Sequence, residues 1–161
     1  MSSTPHALSA ALTPLLQAPG SPDWPAILAL VLQHFACPVG TVHLLHADDN
    51  LLHLTAARGI PPVVLDKVQR IPIGKGMAGI AAERREPVQV CNLQQDDSGV
   101  VRPGARLTQM EGSLAVPMLA GGSLFGVLGI AKPEVYEFSA AESSLLLAIG
   151  AQLAARLAED R

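Results

Sequence analysis

At 161 residues the chain has the length of one domain, and a domain of that size buries roughly 70% of its unfolded surface, enough for a full core without covalent staples. Hydrophobic residues make up 49% but aromatics only 3%, so the core must come from Leu, Val, Ile and Ala, and the scarcity of rings argues against stacking nucleic-acid bases. The net charge of −3 is spread over both signs with no basic stripe, which argues against a phosphate-tracking surface and so against a nucleic-acid partner.

In residues 1–22, Ala7, Leu8, Ala11, Leu12, Leu15 and Leu16 have helical spacing. Pro14 is expected to break or kink that helix, and Pro19-Gly20-Ser21-Pro22 ends it, so the segment reads as an arm or an extra helix. Asp23 can cap the next helix, where Trp24, Ile27, Leu28, Val31, Leu32 and Phe35 form one apolar stripe. Pro38 and Gly40 close it. Strands are expected over Thr41 to His46 and Leu51 to Ala57, turned by Ala47-Asp48-Asp49-Asn50. A short helix over Val63 to Lys67 follows, then a strand over Val68 to Ile73 that Pro72 assigns to an edge. Gly74 to Gly76 makes a tight entry to a helix over Met77 to Arg85, and Val88 to Cys91 is a strand.

Asn92 to Glu111 has no apolar period, and a loop this long in a compact domain suggests a lid or binding loop. Leu114, Val116 and Met118 alternate with Ser113, Ala115 and Pro117, as in a strand with two distinct faces. Gly121-Gly122 permits a hairpin turn to a partner over Leu124 to Ala131. Ser139-Ala140-Ala141-Glu142 is a capping box for a last helix with Leu146, Ile149, Leu153 and Leu157 on its apolar side. Hairpins without regular βα alternation indicate an α+β fold with an antiparallel sheet.

Two glycine-marked blocks carry a resemblance. The first is Ile73-Gly74-Lys75-Gly76-Met77-Ala78-Gly79-Ile80-Ala81-Ala82. The second is Gly112-Ser113-Leu114-Ala115-Val116-Pro117-Met118-Leu119, the Gly121-Gly122 turn and Leu124-Phe125-Gly126-Val127-Leu128-Gly129-Ile130. At this separation they resemble a GAF domain, the small-molecule-sensing module of signalling proteins, over roughly Asp23 to Ala158, with the GAF-like domain taken as residues 23–159. The resemblance implies a central antiparallel sheet of about five to six strands, two long terminal helices on one face, and a ligand pocket on the other under the middle helix and the long loop.

The chain is also similar to free methionine-R-sulfoxide reductases, which use cysteines in the middle helix and long loop and carboxylates to grip the substrate. Laid on that pattern, the middle-helix cysteine position falls on Ala78, the loop holds no cysteine, and the carboxylate positions fall on Ser113, Gly129 and Ala131. Sulfoxide reduction needs a thiolate nucleophile, so no catalytic residue is expected here. Cys37 and Cys91 are the only cysteines, which suggests a reduced protein rather than a disulfide scaffold, and Cys91 reads as a half-buried hydrophobe on a strand. The cyclic-nucleotide-binding GAF signature is matched only at Lys132, Phe138 and Glu142; a Lys132–Glu142 ion pair could tie the last strand to the last helix, although the capping box already explains Glu142.

Other groups have bland readings beside sharper ones. Gly74-Lys75-Gly76 before a helix could seat an anion, or could be a turn needing glycine torsions. His43 and His53 could meet across their hairpin around a metal or haem, but no further ligand completes a set, and solvent-facing histidines are the preferred reading, with no metal expected. Arg102 and Arg106 could grip an acidic ligand or be solvated loop charges. The stripe Leu147-Ala151-Ala154-Ala158 would allow close approach of a second helix, and the GAF resemblance implies a homodimer through terminal helices.

The expectation is a non-enzymatic small-molecule sensor that signals through its dimer or a partner protein, with Met77, Cys91, Asn92, Arg102, Met110 and Ser113 contacting an unidentified ligand. The alternatives are a divergent free methionine-R-sulfoxide reductase and a ligand-free dimerisation or docking module. The first residues lack a cationic n-region, and no unbroken apolar run reaches the ~18 residues of a membrane span, so a cytoplasmic location is expected. Nothing in the sequence names a cofactor.

Overall fold

The computed structural model describes residues 5–91 and 110–160. Its elements run α1 (Pro5–Gln17), α2 (Trp24–Phe35), β1 (Val39–His46), β2 (Leu51–Arg58), α3 (Pro62–Lys67), β3 (Arg70–Pro72), α4 (Gly76–Arg84), β4 (Val88–Val90), β5 (Gly112–Ala120), β6 (Ser123–Lys132) and α5 (Ala140–Ala158). The strands form one antiparallel sheet in the order β3-β2-β1-β6-β5-β4. This is the α+β architecture expected, with β3 and its Pro72 at an edge. Pro117 lies inside β5 but beyond the end of β4, which pairs only with Ser113 to Ala115, so its missing N–H interrupts no ladder on that side.

One face of the sheet carries α1, α2 and α5. The α2 stripe is buried as its spacing requires, from Trp24 to Phe35, and packs with Leu146, Ile149 and Leu153 of α5 over Val42, Leu114, Val116, Met118, Leu128 and Ile130. Asp23 caps α2 through Ala26 N, and Ser139 and Glu142 close a reciprocal capping box on α5. Gly150 lets α5 lie close on β5: a Cβ there would stand 3.1 Å from Pro117 O. The α2 helix ends one turn before Gly40, because Ala36 takes the left-handed conformation (φ 55°) and returns its N–H to the carbonyls of Leu32 and Gln33.

Pro14 does not break α1, which runs through it to Gln17 and buries Leu8, Leu12 and Leu16 in the main core. Tertiary contacts support the helix where local propensity opposes it. Gln152 of α5 accepts from Ser9 Oγ at 3.0 Å and donates to Ser9 O at 3.2 Å. Arg156 donates from Nε to Leu16 O and from a terminal nitrogen to Gly20 O, both at 2.8 Å. A guanidinium at the negative end of a helix satisfies orphan carbonyls and opposes the helix dipole together.

The other face carries α4. Ala81 and Ala82 are buried with Leu52, Ile71, Val88, Ala115, Leu124 and Val127, and Met77, Ala78 and Ile80 pack at the margin of this second cluster. No helix among the described residues is long and apolar enough to cross a membrane.

Candidate functional site

The α4 face of the sheet is where strand alternation gathers the smallest side chains. Ser113 pairs with Ala131, Ala115 with Gly129, and Thr41 of β1 with Gly129 from the other side. Residues paired across a ladder share a face, so Thr41, Ser113, Ala115, Gly129 and Ala131 form one patch of low relief. The described atoms nearest a Cβ at Gly129 are Thr41 Oγ1 at 3.2 Å and Leu114 O at 3.9 Å, both belonging to the sheet itself. Val90, opposite Ser113, and Val88, opposite Ala115, continue the patch to the edge. The reductase resemblance puts the gripping carboxylates at Ser113, Gly129 and Ala131, and the fold brings these three onto the patch. They present a hydroxyl, bare backbone and a methyl group instead.

The turn into α4 is built for close packing. Gly74 (φ 92°) and Gly76 (φ 67°) supply positive torsions. Gly74 N donates to Gly79 O at 2.8 Å and Lys75 N to Pro72 O at 3.2 Å. Two of the turn's amides are thus consumed inside it, which favours the turn reading over an anion seat. Gly79 is required by proximity, since a Cβ would stand 2.4 Å from Pro72 O.

Of the residues expected at a ligand, Met77 is half-buried at the start of α4 against the second cluster, and Ser113 is half-buried on the patch with its Oγ 3.5 Å from Ile130 O. Met110 is half-buried just before β5. Cys91 follows β4 directly and is exposed rather than half-buried; its carbonyl accepts from Tyr136 N at 3.0 Å. Asn92, Arg102 and Arg106 lie outside the described residues. Ala78, at the reductase cysteine position, is half-buried beside Met77. The other thiol, Cys37, is buried on the helix side of the sheet, and burial pushes its pKa up to about 11, away from nucleophile chemistry.

Of the strand histidines, His46 is exposed and His53 half-buried, while His43 departs from expectation. His43 pairs with Leu54 and His53 with Leu44, so the two point to opposite faces and do not meet. His43 is not solvent-facing: it is 2% exposed on the α4 face, with Nε2 2.8 Å from Val68 O. The carbonyl can only accept, so Nε2 carries the proton and Nδ1 is a bare acceptor. That Nδ1 is buried with no hydrogen-bond partner among the described residues. Burial lowers the His43 pKa, only partly offset by the Val68 bond, so the ring is neutral. His53 instead stacks on His46 with ring centroids 3.7 Å apart and reaches the Asp49 carboxylate at 2.8 Å. No group of three or more metal-ligating side chains occurs among the described residues.

Lys132 and Glu142 make no ion pair with each other among the described residues. Tyr136 joins them instead, with the Lys132 ammonium 4.5 Å above its ring and its hydroxyl 2.8 Å from both Glu142 oxygens. The small-residue stripe of α5 is mostly consumed internally: Ala154 is fully buried, Leu147 and Ala158 pack on the core, and Ala151 alone is exposed. An open hollow of about 540 Å³ between α1 and α5, bordered by Thr13, Gln17, Gln152 and Arg156, was not foreseeable from that stripe.

A family model for the GAF domain matches residues 25–158. No curated protein matches the sequence. Among solved structures, the chain is similar to the GAF domain of a phosphoenolpyruvate-protein phosphotransferase from Coxiella burnetii, at 22% identity and TM-score 0.78 over 96% of this chain and 93% of that one. The corresponding Acinetobacter domain gives 20% identity and TM-score 0.78 over 99% and 96%. The free methionine-R-sulfoxide reductase of Neisseria meningitidis, solved with its substrate, gives 18% identity and TM-score 0.71 over 94% and 84%.

Proposed function

The chain belongs to the GAF domain family, and from that premise we propose that it is a non-enzymatic sensor whose ligand lies on the α4 face of the sheet, over Ser113, Gly129 and Ala131. The observation that carries this reading is the chemistry of that face. Its described strand positions hold one titratable side chain, His43, which is buried and neutral. Catalysis of sulfoxide reduction needs a thiolate, and neither thiol is on the patch: Cys37 is on the opposite face and Cys91 is exposed past the end of β4. A low-relief apolar floor with few polar contacts suits recognition of a small molecule. Occupancy is relayed to a second copy of the chain or to a partner protein in the cytoplasm, with Met77, Cys91, Asn92, Arg102, Met110 and Ser113 as the contacts to substitute first.

The test is thermal denaturation of the purified protein against a metabolite and nucleotide panel, with native mass spectrometry for carried-through ligand and subunit count. A ligand that binds only the folded state raises the midpoint with its concentration. No shift from any compound, and no adduct in the mass spectrum, would leave the docking-module reading in place. Thioredoxin-coupled NADPH consumption with free methionine sulfoxide is expected to be absent; turnover lost in Cys91→Ser would establish the reductase instead.

A further inference from the structure

Among the described residues, His43 is the one buried polar side chain on the α4 face of the sheet. It is 2% exposed, and its Nδ1 has no partner among the described residues. Native proteins pair the great majority of buried polar atoms, and an orphan calls for a missing partner. His43 pairs with Val127 of β6, two residues along the ladder from the Thr41–Gly129 pair, so it stands next to the small-residue patch on the same face of the same strand. Its Nε2 is committed to Val68 O at 2.8 Å, which fixes both the ring orientation and the tautomer.

We propose that Nδ1 of His43 is the polar anchor for the ligand, accepting a hydrogen bond from an N–H or O–H of a neutral molecule with an otherwise apolar body. The inference rests on the α4-face site described above and specifies what that site accepts. The ring nitrogen offers a lone pair and no proton, so it repels a carboxylate or phosphate and rewards a donor. The neighbouring positions, Thr41, Ala115, Val127, Gly129 and Ala131, supply no cation that would hold an anion.

Matched fragment pairs differing only in the donor test this: phenol against anisole, indole against 1-methylindole, and benzamide against N,N-dimethylbenzamide. Binding is read from amide chemical-shift titrations of the ¹⁵N-labelled protein at Ala115, Val127 and Gly129. The donor of at least one pair is expected to bind about tenfold or more tightly than its methylated partner. The His43→Gln variant keeps a donor for Val68 O but loses the ring nitrogen, and should bind both partners equally weakly. The His43→Asn variant restores an acceptor near the Nδ1 position and should recover part of the preference. Equal binding of donor and methylated forms by the wild type, or a preference that survives in His43→Gln, overturns the anchor while leaving the site intact. If none of the six fragments shifts those amides, the site itself falls and the anchor with it.

Discussion

Arg156 near the end of α5 donates from Nε to the carbonyl oxygen of Leu16 at 2.8 Å, fastening the last turn of the first helix to the last helix of the fold. The same side chain reaches Gly20 O and Asp160 through exposed bonds, but it is itself 12% exposed and its bond to Leu16 O is half-buried. Hydrogen bonds to a charged group contribute ~1.5–3 kcal/mol, and Arg156→Ala is expected to lower unfolding stability by about that amount. Chemical denaturation measures the loss, and hydrogen exchange should show α1 amides losing protection before those of the sheet. Arg156→Lys should recover only part, because one ammonium cannot reproduce the planar fork. An unchanged denaturation midpoint in Arg156→Ala would mean that α1 is held by its leucines alone.

Gly126 and Gly122 separate steric from torsional need within one hairpin. A Cβ at Gly126 would stand 2.1 Å from His43 O, which is backbone of the adjacent strand and cannot swing away. Gly122 has nothing within 4 Å but a φ of 79°. Forcing extra volume into a packed site costs ~1–3 kcal/mol or more, whereas a left-handed torsion on an L-residue costs ~1–2 kcal/mol. Gly126→Ala is therefore expected to be the more damaging, by denaturant midpoint and by loss of the β1–β6 amide protection. The reverse order would contradict the β1–β6 register.

What the sequence made legible was whatever depends on near neighbours. The Trp24 to Phe35 stripe, the Ser139–Glu142 box, the edge assignment of Pro72 and the alternation that puts Ser113 on the face opposite Leu114 are all local patterns, and each appears as read. Pro14 was misleading because a helix in contact with α5 does not rely on its own propensity. His43 was misread for a similar reason: β1 alternation fixes its side of the sheet, but only the folding of the α3–β3 connection over it brings Val68 O within reach and removes it from water. The convergence of Ala78's helix with Ser113 and Ala131 on one face followed from the family pattern, while the Tyr136 bridge between Lys132 and Glu142 had no sequence signal beyond its place between them.

The two thiols should react at very different rates. Cys37 is buried, with its pKa pushed up to about 11 by burial, while Cys91 is exposed. A thiol with so high a pKa has almost no thiolate at pH 8 and is shielded from reagent as well. Titration with a chromogenic disulfide reagent at pH 8 is expected to modify one thiol per chain in the native protein and two after denaturation. Cys91→Ser should leave no promptly reactive thiol. Rapid reaction of both in the folded wild type would contradict the burial of Cys37.

Stability should also depend on the charge state of His43. Burial lowers its pKa from the ordinary 6.5, the Val68 bond opposing this only in part, and no charged group contributes to the shift. Below pH 6.5 the unfolded chain therefore binds a proton that the folded chain refuses, so unfolding takes up protons and stability rises with pH. The contribution is fully present above the unfolded pKa and is lost as pH falls toward the folded one. Its limiting slope is ~1.4 kcal/mol per pH unit for one proton. Urea unfolding between pH 7.5 and 5 is expected to show this fall in the wild type and a shallower one in His43→Gln, which keeps a neutral donor for Val68 O. The other histidines and the acidic groups act alike in both proteins, so the difference between the two curves isolates His43. Parallel curves would mean that His43 titrates as it does in the unfolded chain, and the buried, neutral ring assigned to the α4 face would be wrong.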